Sequence, residues 1–290
     1  MNERRRGSEV LKTGDERGSA PALFAFFALA YGLSWAWAIP LAATASIVRR
    51  GHGWPTHYPS LVAPAVAAIV VIGRTQGRPG LADLARRALR WRVGVRWWCV
   101  AISPAAFLAV ALLVSRAMGE QLPSLADFGQ FSGTPTIGVL GAFLLITCVG
   151  SAGEEIGWRG YALPELQRRC SPLKGTLVLA VLWYLWHLPQ FFVLATFRDF
   201  SPTEYVGMCI GLICGAVVLT WLHNRSGCSV LLVIVWHGVY NFVGATAAST
   251  GPVAAIVTTL VMVQGATLAV AEVRARRSGR PSVIGPLGPP

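Results

Sequence analysis

Long apolar runs, separated by short stretches rich in Arg, Gly and Pro, divide the chain into eight segments: Pro21–Val48, Tyr58–Gly73, Trp97–Met118, Pro135–Gly153, Gly175–Phe197, Tyr205–Leu222, Val230–Ala248 and Pro252–Ala271. At 1.5 Å per residue, a helix needs about 20 such residues to cross ~30 Å of hydrocarbon. No run alternates with the two-residue period of a half-buried strand, so the pattern predicts an all-α, polytopic transmembrane bundle of about eight helices. Tyr58–Gly73 is the shortest run and contains Pro64. Pro21–Val48 is about twice as long as the apolar part of a signal peptide and follows a prefix containing acids, so it reads as a retained first span.

Between the second and third runs, Leu81, Leu84, Ala88, Trp91 and Val95 recur at helical spacing, with Arg86, Arg87 and Arg90 opposite them. That is the signature of an amphipathic helix lying on an anionic membrane surface. Residues 1–20 and 274–290 are rich in Gly, Pro, Ser and Arg and read as disordered cytoplasmic tails. They flank a single membrane domain, residues 21–273.

Composition agrees. The chain has 290 residues, 54% of them hydrophobic and 13% charged, where soluble domains run near 25% charged. The net charge of +12 could suggest nucleic acid. The basic residues, however, cluster between apolar runs instead of forming a patch interleaved with aromatics, so no nucleic-acid partner is expected. Threading eight spans from a cytoplasmic N-terminus leaves twenty-one Lys and Arg inside and only Arg49, Arg50, Arg116 and Arg198 outside. The excess predicts both termini in the cytoplasm. The six cysteines include no C-x-x-C pair and read as small apolar residues, not as a disulfide framework or zinc ribbon.

An ionisable group inside a span costs roughly 2.5–3.5 kcal/mol even on the lenient insertion scale, so those the chain retains are informative. They fall in three places: Glu154-Glu155-Ile156-Gly157-Trp158-Arg159, Trp183-Tyr184-Leu185-Trp186-His187, and His237-Gly238-Val239-Tyr240-Asn241. Measured from Arg168, Lys174 and Arg225 respectively, Glu154, His187 and His237 lie at most roughly 18–21 Å deep, a common level. Glu155 and Arg159 stand four apart on one helix face and can form an ion pair, while Glu154 is turned about 100° away. His237 and Asn241 also share a face. Gly157, Gly160 and Gly238 allow close helix approach.

Plainer readings exist for each. Ser151 and Glu154 match a capping box, His187 could bond a carbonyl freed by Pro189, and His237 with Asn241 could be interhelical polar glue. His52 and His57 in an outer loop and His223 at a boundary read as solvated histidines, and Tyr161 and Trp183 as packing residues. Three separate coincidences are needed to dismiss the whole set.

Taken together, Glu154-Glu155-x-x-x-Arg159, an aromatic-x-x-x-His187 and His237-x-x-x-Asn241 resemble the CAAX-protease and bacteriocin-processing (CPBP, or Abi) family of intramembrane proteases. The stretch through Tyr161 with Leu166-Gln167-Arg168-Arg169, and the basic amphipathic helix, are similar to that family as well. The likeness covers roughly Leu81 to Ala248, with the motifs in residues 135–248, and Trp183 stands where the family usually has Phe. The resemblance implies an endopeptidase acting near the cytoplasmic face on a peptide or membrane-protein substrate, in a bacterial cytoplasmic membrane as the composition suggests. It implies Glu154 as the base activating a water nucleophile, His187 as a ligand of that water or of a metal, His237 and Asn241 as oxyanion donors, and Glu155 with Arg159 as supports. Glu154, His187 and His237 would also suit a divalent metal such as zinc, although H-E-x-x-H is absent; metal-free glutamate chemistry is the preferred reading. The rival classes are a non-catalytic scaffold or immunity protein of the same fold and an ion-coupled transporter, for which a repeated motif is missing.

Overall fold

The computed structural model describes residues 19–286. The regular elements are helical; among the described residues, extended backbone pairs only at two isolated bridges, Val48 with Leu194 and Arg50 with Ser132. The helices are α1 (Ala20–Ala43), α2 (Tyr58–Thr75), α3 (Gly77–Ala88), α4 (Val95–Ala101), α5 (Ser103–Ala117), α6 (Gly138–Gln167), α7 (Pro172–Trp186), α8 (Pro202–Arg225), α9 (Val230–Gly244) and α10 (Gly251–Arg277). Five of them, α1, α2, α6, α8 and α10, are long and apolar enough to cross a bilayer, and α7 makes a sixth with the turns that carry it on to Val193; α4 and α5, bent by 48° beside Pro104, make a seventh if they form one span. The seventh expected run, Val230–Ala248, forms α9, apolar but only 15 residues long. Apolar side chains such as Phe24, Leu113 and Leu140 point outward, 69–76% exposed, as a lipid-facing belt requires.

Local sequence sets the helix starts. Ser19, Ser171, Ser201 and Ser229 each accept a backbone N–H of the first turn, and prolines follow the first three, where a missing N–H costs nothing. Ser201 and Glu204 complete a capping box. α2 runs unbroken through Pro64, and α6 passes Pro164 without a break.

Three boundary expectations differ from the structure. The amphipathic helix stops at Ala88, so Trp91 and Val95 lie beyond it and are exposed. Its arginines are not all turned to solvent: Arg87, paired with Asp83, also donates to the Gly160 carbonyl at 2.9 Å. At the C-terminus, α10 continues to Arg277, and residues 282–284 fold back so that Ser282 Oγ and the Val283 and Ile284 amides donate to the buried Glu272 carboxylate. Residues 1–18 and 287–290 of the two expected tails lie outside the described residues.

α6 is the centre of the bundle, with α2 on one side and α9 on the other. Glycines make this possible. A Cβ on Gly153 would fall 2.5 Å from the Leu61 carbonyl oxygen, one on Gly157 would strike Pro64, and one on Gly238 would strike Thr147. Gly157→Ala should therefore lower stability by about 1–3 kcal/mol, as overpacking does. A depressed thermal midpoint in detergent would register it, with Gly32→Ala, whose added methyl meets nothing, as the neutral control. Equal midpoints would show that α2 does not press on α6.

Candidate active site

The Glu154-Glu155 segment sits in an α-helical stretch of α6, Ala152–Gly157, between two wider π-helical turns, Ile146–Ser151 and Trp158–Ala162. Such turns re-aim side chains and recur at functional sites. The capping-box reading of Ser151 and Glu154 fails here: helix precedes Ser151, and its hydroxyl is buried without a partner.

Both carboxylates are buried, Glu154 at 4% exposure and Glu155 at none. Glu155 Oε1 accepts two hydrogen bonds, from Arg159 Nη1 at 2.8 Å and from His237 Nδ1 at 2.9 Å. Arg159, also fully buried, lies with its guanidinium carbon 4.6 Å from the centre of the Trp183 ring. Trp183 in turn donates its indole N–H to Glu154 Oε2 at 2.7 Å. The Trp183 ring meets His237 edge-on at 5.5 Å and His187 at 5.9 Å, and Trp186 closes the other side of His187 at 4.8 Å. Glu154, Glu155, Arg159, His187 and His237 thus assemble around one indole. Asn241 follows one turn after His237 on α9, half-buried, and its side chain has no hydrogen-bond partner among the described residues.

Hydrogen bonding fixes the imidazole tautomers. His187 Nδ1 lies 2.7 Å from the Trp183 carbonyl. A carbonyl only accepts, so Nδ1 carries the proton and Nε2 keeps a lone pair. This contact does not come from Pro189: the His187 amide bonds the Tyr184 carbonyl in the tight last turn, and the ring takes up the Trp183 carbonyl one residue earlier. His237 donates Nδ1–H to Glu155 and likewise presents Nε2. Two carboxylates facing one guanidinium leave one negative charge that a proton within the cluster would balance.

Anchored Nδ1 groups are the usual support of metal-binding imidazoles. Among the described residues, no three His, Cys, Asp or Glu side chains are grouped closely enough to hold a metal ion. Sequence reasoning missed two other histidines. His57 is 5% exposed and packs on Tyr58 and Phe131, and His223 is 1% exposed with Nδ1 at 3.0 Å from Asn224 Oδ1. Only His52 sits in the open as expected. Tertiary folding of the loop against residues 131–134 buries His57, and linear hydropathy carries no trace of that. Trp183, read as packing, is the direct partner of Glu154; an indole N–H beside a buried carboxylate was the available signal.

Comparison with known proteins agrees with the motifs. Residues 134–243, which contain every candidate site residue, match the family model described as Type II CAAX prenyl endopeptidase Rce1-like. The chain is also 27% identical to CAAX prenyl protease 2 of Methanococcus maripaludis over 191 residues, 63% of this chain and 69% of that protein. The family resemblance read from the motifs therefore holds over the stretch that carries them.

If the Trp183 N–H orients Glu154, Trp183→Phe keeps the ring but removes a hydrogen bond to a charged group, worth about 1.5–3 kcal/mol. Turnover should fall roughly 10- to 100-fold with little change in thermal midpoint. Glu155→Gln should instead lower the midpoint, because Arg159 then stands buried without a counter-charge. A Trp183→Phe enzyme of full activity would reduce the indole to packing.

Proposed function

We propose that this protein is an intramembrane endopeptidase in which Glu154 activates the hydrolytic water. The observation that carries the reading is the buried Glu154 carboxylate, hydrogen-bonded to Trp183 beside two histidines, inside the stretch similar to CAAX prenyl endopeptidases.

In this reading Glu154 takes a proton from water as the oxygen attacks the scissile carbonyl carbon. The carbonyl π bond opens to an oxyanion, and Glu154 returns the proton to the departing amine as the C–N bond breaks. His187 Nε2, holding a lone pair, accepts the water's other hydrogen and aims the attack. The Asn241 amide donates to the oxyanion. His237 adds a second donor through Nε2 only as an imidazolium, whose charge Glu155 balances through Nδ1. Glu155 and Arg159 support the ring and the helix without touching substrate.

The substrate class is a peptide or membrane protein whose scissile bond reaches the level of Glu154. The M. maripaludis relative is named a CAAX prenyl protease, so a lipid-modified peptide is the first substrate to test. The charge distribution further supports a cytoplasmic placement of both termini, and the Ala-, Arg- and Gly-rich composition suits a bacterial inner membrane.

Purified protein should cleave such a peptide, and Glu154→Gln should lose about 10²–10⁴-fold in rate, the usual contribution of a positioned acid–base group. Asn241→Ala should lose about 10²–10³-fold, as other oxyanion donors do. A chelator should leave the wild type active. Full activity in Glu154→Gln would refute Glu154 as the base, absence of cleavage by the wild type would refute the protease reading, and reversible loss on chelation, with stoichiometric zinc that disappears in His187→Ala, would replace the metal-free mechanism. Topology is separable: reporter fusions after Arg96, Arg169 and Arg280 should report cytoplasm, and those near Gly53 and Gln130 the opposite side. An external signal after Arg280 would overturn the arrangement of the termini.

A further inference from the structure

Away from the carboxylates, the start of α4 and the end of α8 enclose a cleft of about 300 Å³ lined by Arg96, Trp97, Val100, Trp221 and Arg225. Its layering is ordered. Arg96 lies at the first turn of α4 and Arg225 is the last residue of α8, so both cations stand at the same end of the bundle. Trp97 and Val100 lie further along α4, and Trp221 lies one turn back along α8 on the same face as Arg225. The two indoles meet edge-on at 5.3 Å and form a rigid apolar floor. Arg96 is stacked 5.0 Å from the Trp97 ring centre, and neither Arg96 nor Arg225 has an acidic partner among the described residues. Elsewhere among the described residues, arginines near acids are paired: Arg86 and Arg87 with Asp83, Arg159 with Glu155, Arg168 and Arg169 with Glu165, and Arg276 with Glu272.

We propose that this cleft binds one anionic phospholipid. Arg96 and Arg225 hold its phosphodiester, and the upper acyl chains lie against Trp97, Trp221 and Val100. Two unpaired guanidinium groups match a single phosphate in charge and in donor geometry. A free oxyanion would use only that upper layer. The indole layer immediately beneath, at the depth where Trp sits in bilayers, is what adds a lipid requirement. The site is independent of the catalytic reading, since none of its residues touches the carboxylate cluster.

The test uses the full chain in detergent with equal phosphatidylglycerol and phosphatidylcholine, read by native mass spectrometry. Wild type should retain phosphatidylglycerol about tenfold over phosphatidylcholine, in line with two basic contacts at a membrane surface. R96Q/R225Q should bring that ratio close to one, R96K/R225K should keep part of it, and R74Q/R78Q, which removes the same charge elsewhere, should leave it intact. Brominated phosphatidylglycerol should quench the tryptophan fluorescence of wild type more than that of W97F/W221F, which keeps both arginines. A wild-type ratio near one, an equal loss in R74Q/R78Q, or identical quenching in W97F/W221F would overturn the proposal. Displacement of the lipid by inorganic phosphate alone would also overturn it, reducing the cleft to an oxyanion site.

Discussion

A guanidinium cannot be left alone inside a lipid-spanning bundle, and the Glu155–Arg159 pair is the constraint around which this protein is arranged. Both side chains have no exposed surface. Burying either without the other would cost several kcal/mol, so the two must arrive together, one helical turn apart on α6. Once paired, they organise their neighbours. Glu155 uses the same oxygen to hold His237 on α9, and Arg159 lies under the Trp183 ring of α7, whose N–H reaches Glu154. Three helices are thereby tied at one level by polar contacts, in a setting where apolar packing alone gives little preference for one partner over another.

Small residues make the ties geometrically possible. Gly153 and Gly157 bring α2 against the carboxylate-bearing turn, and Gly238 brings α9 against Thr147. Even so, the polar network is not fully used within the protein. Glu155 Oε2, Arg159 Nε and Nη2, and the Ser151 and Thr147 hydroxyls are buried without partners. That surplus sits around the proposed base, where a peptide carbonyl and a water would bring complementary donors and acceptors.

The sequence was most readable where one physical rule acts alone. Apolar run length located every helix that can cross a bilayer, because hydrocarbon thickness leaves little choice. The i,i+4 spacing of Glu155 and Arg159 foretold their ion pair, because neither has an alternative partner within one turn. Features that depend on tertiary contact were hidden. The burial of His57 beside Phe131, and of His223 beside an Asn224 that bonds the Ile284 carbonyl, comes from packing against distant segments. The bond between Trp183 and Glu154 was concealed for a related reason: an aromatic residue in an apolar run looks like core until the carboxylate opposite it is known.

The wide turns on either side of Glu154-Glu155 carry a consequence for how this segment can change. A π turn is in effect an α-helix holding one extra residue, and each residue in a helix accounts for about 100° of rotation. Each of the two turns therefore holds its extra residue locally, and the helix on either side stays in phase. Removing one residue from 158–162 would let that turn relax to ordinary α geometry, re-aiming the side chains of the turn itself, Arg159 among them, while the helix beyond stays nearly in place. The regular stretch Ala152–Gly157 has no such reserve, and a deletion there would turn one flank against the other by about 100°. The wide turns are thus where this helix can change length by one residue, and the Glu-Glu step between them is where it cannot.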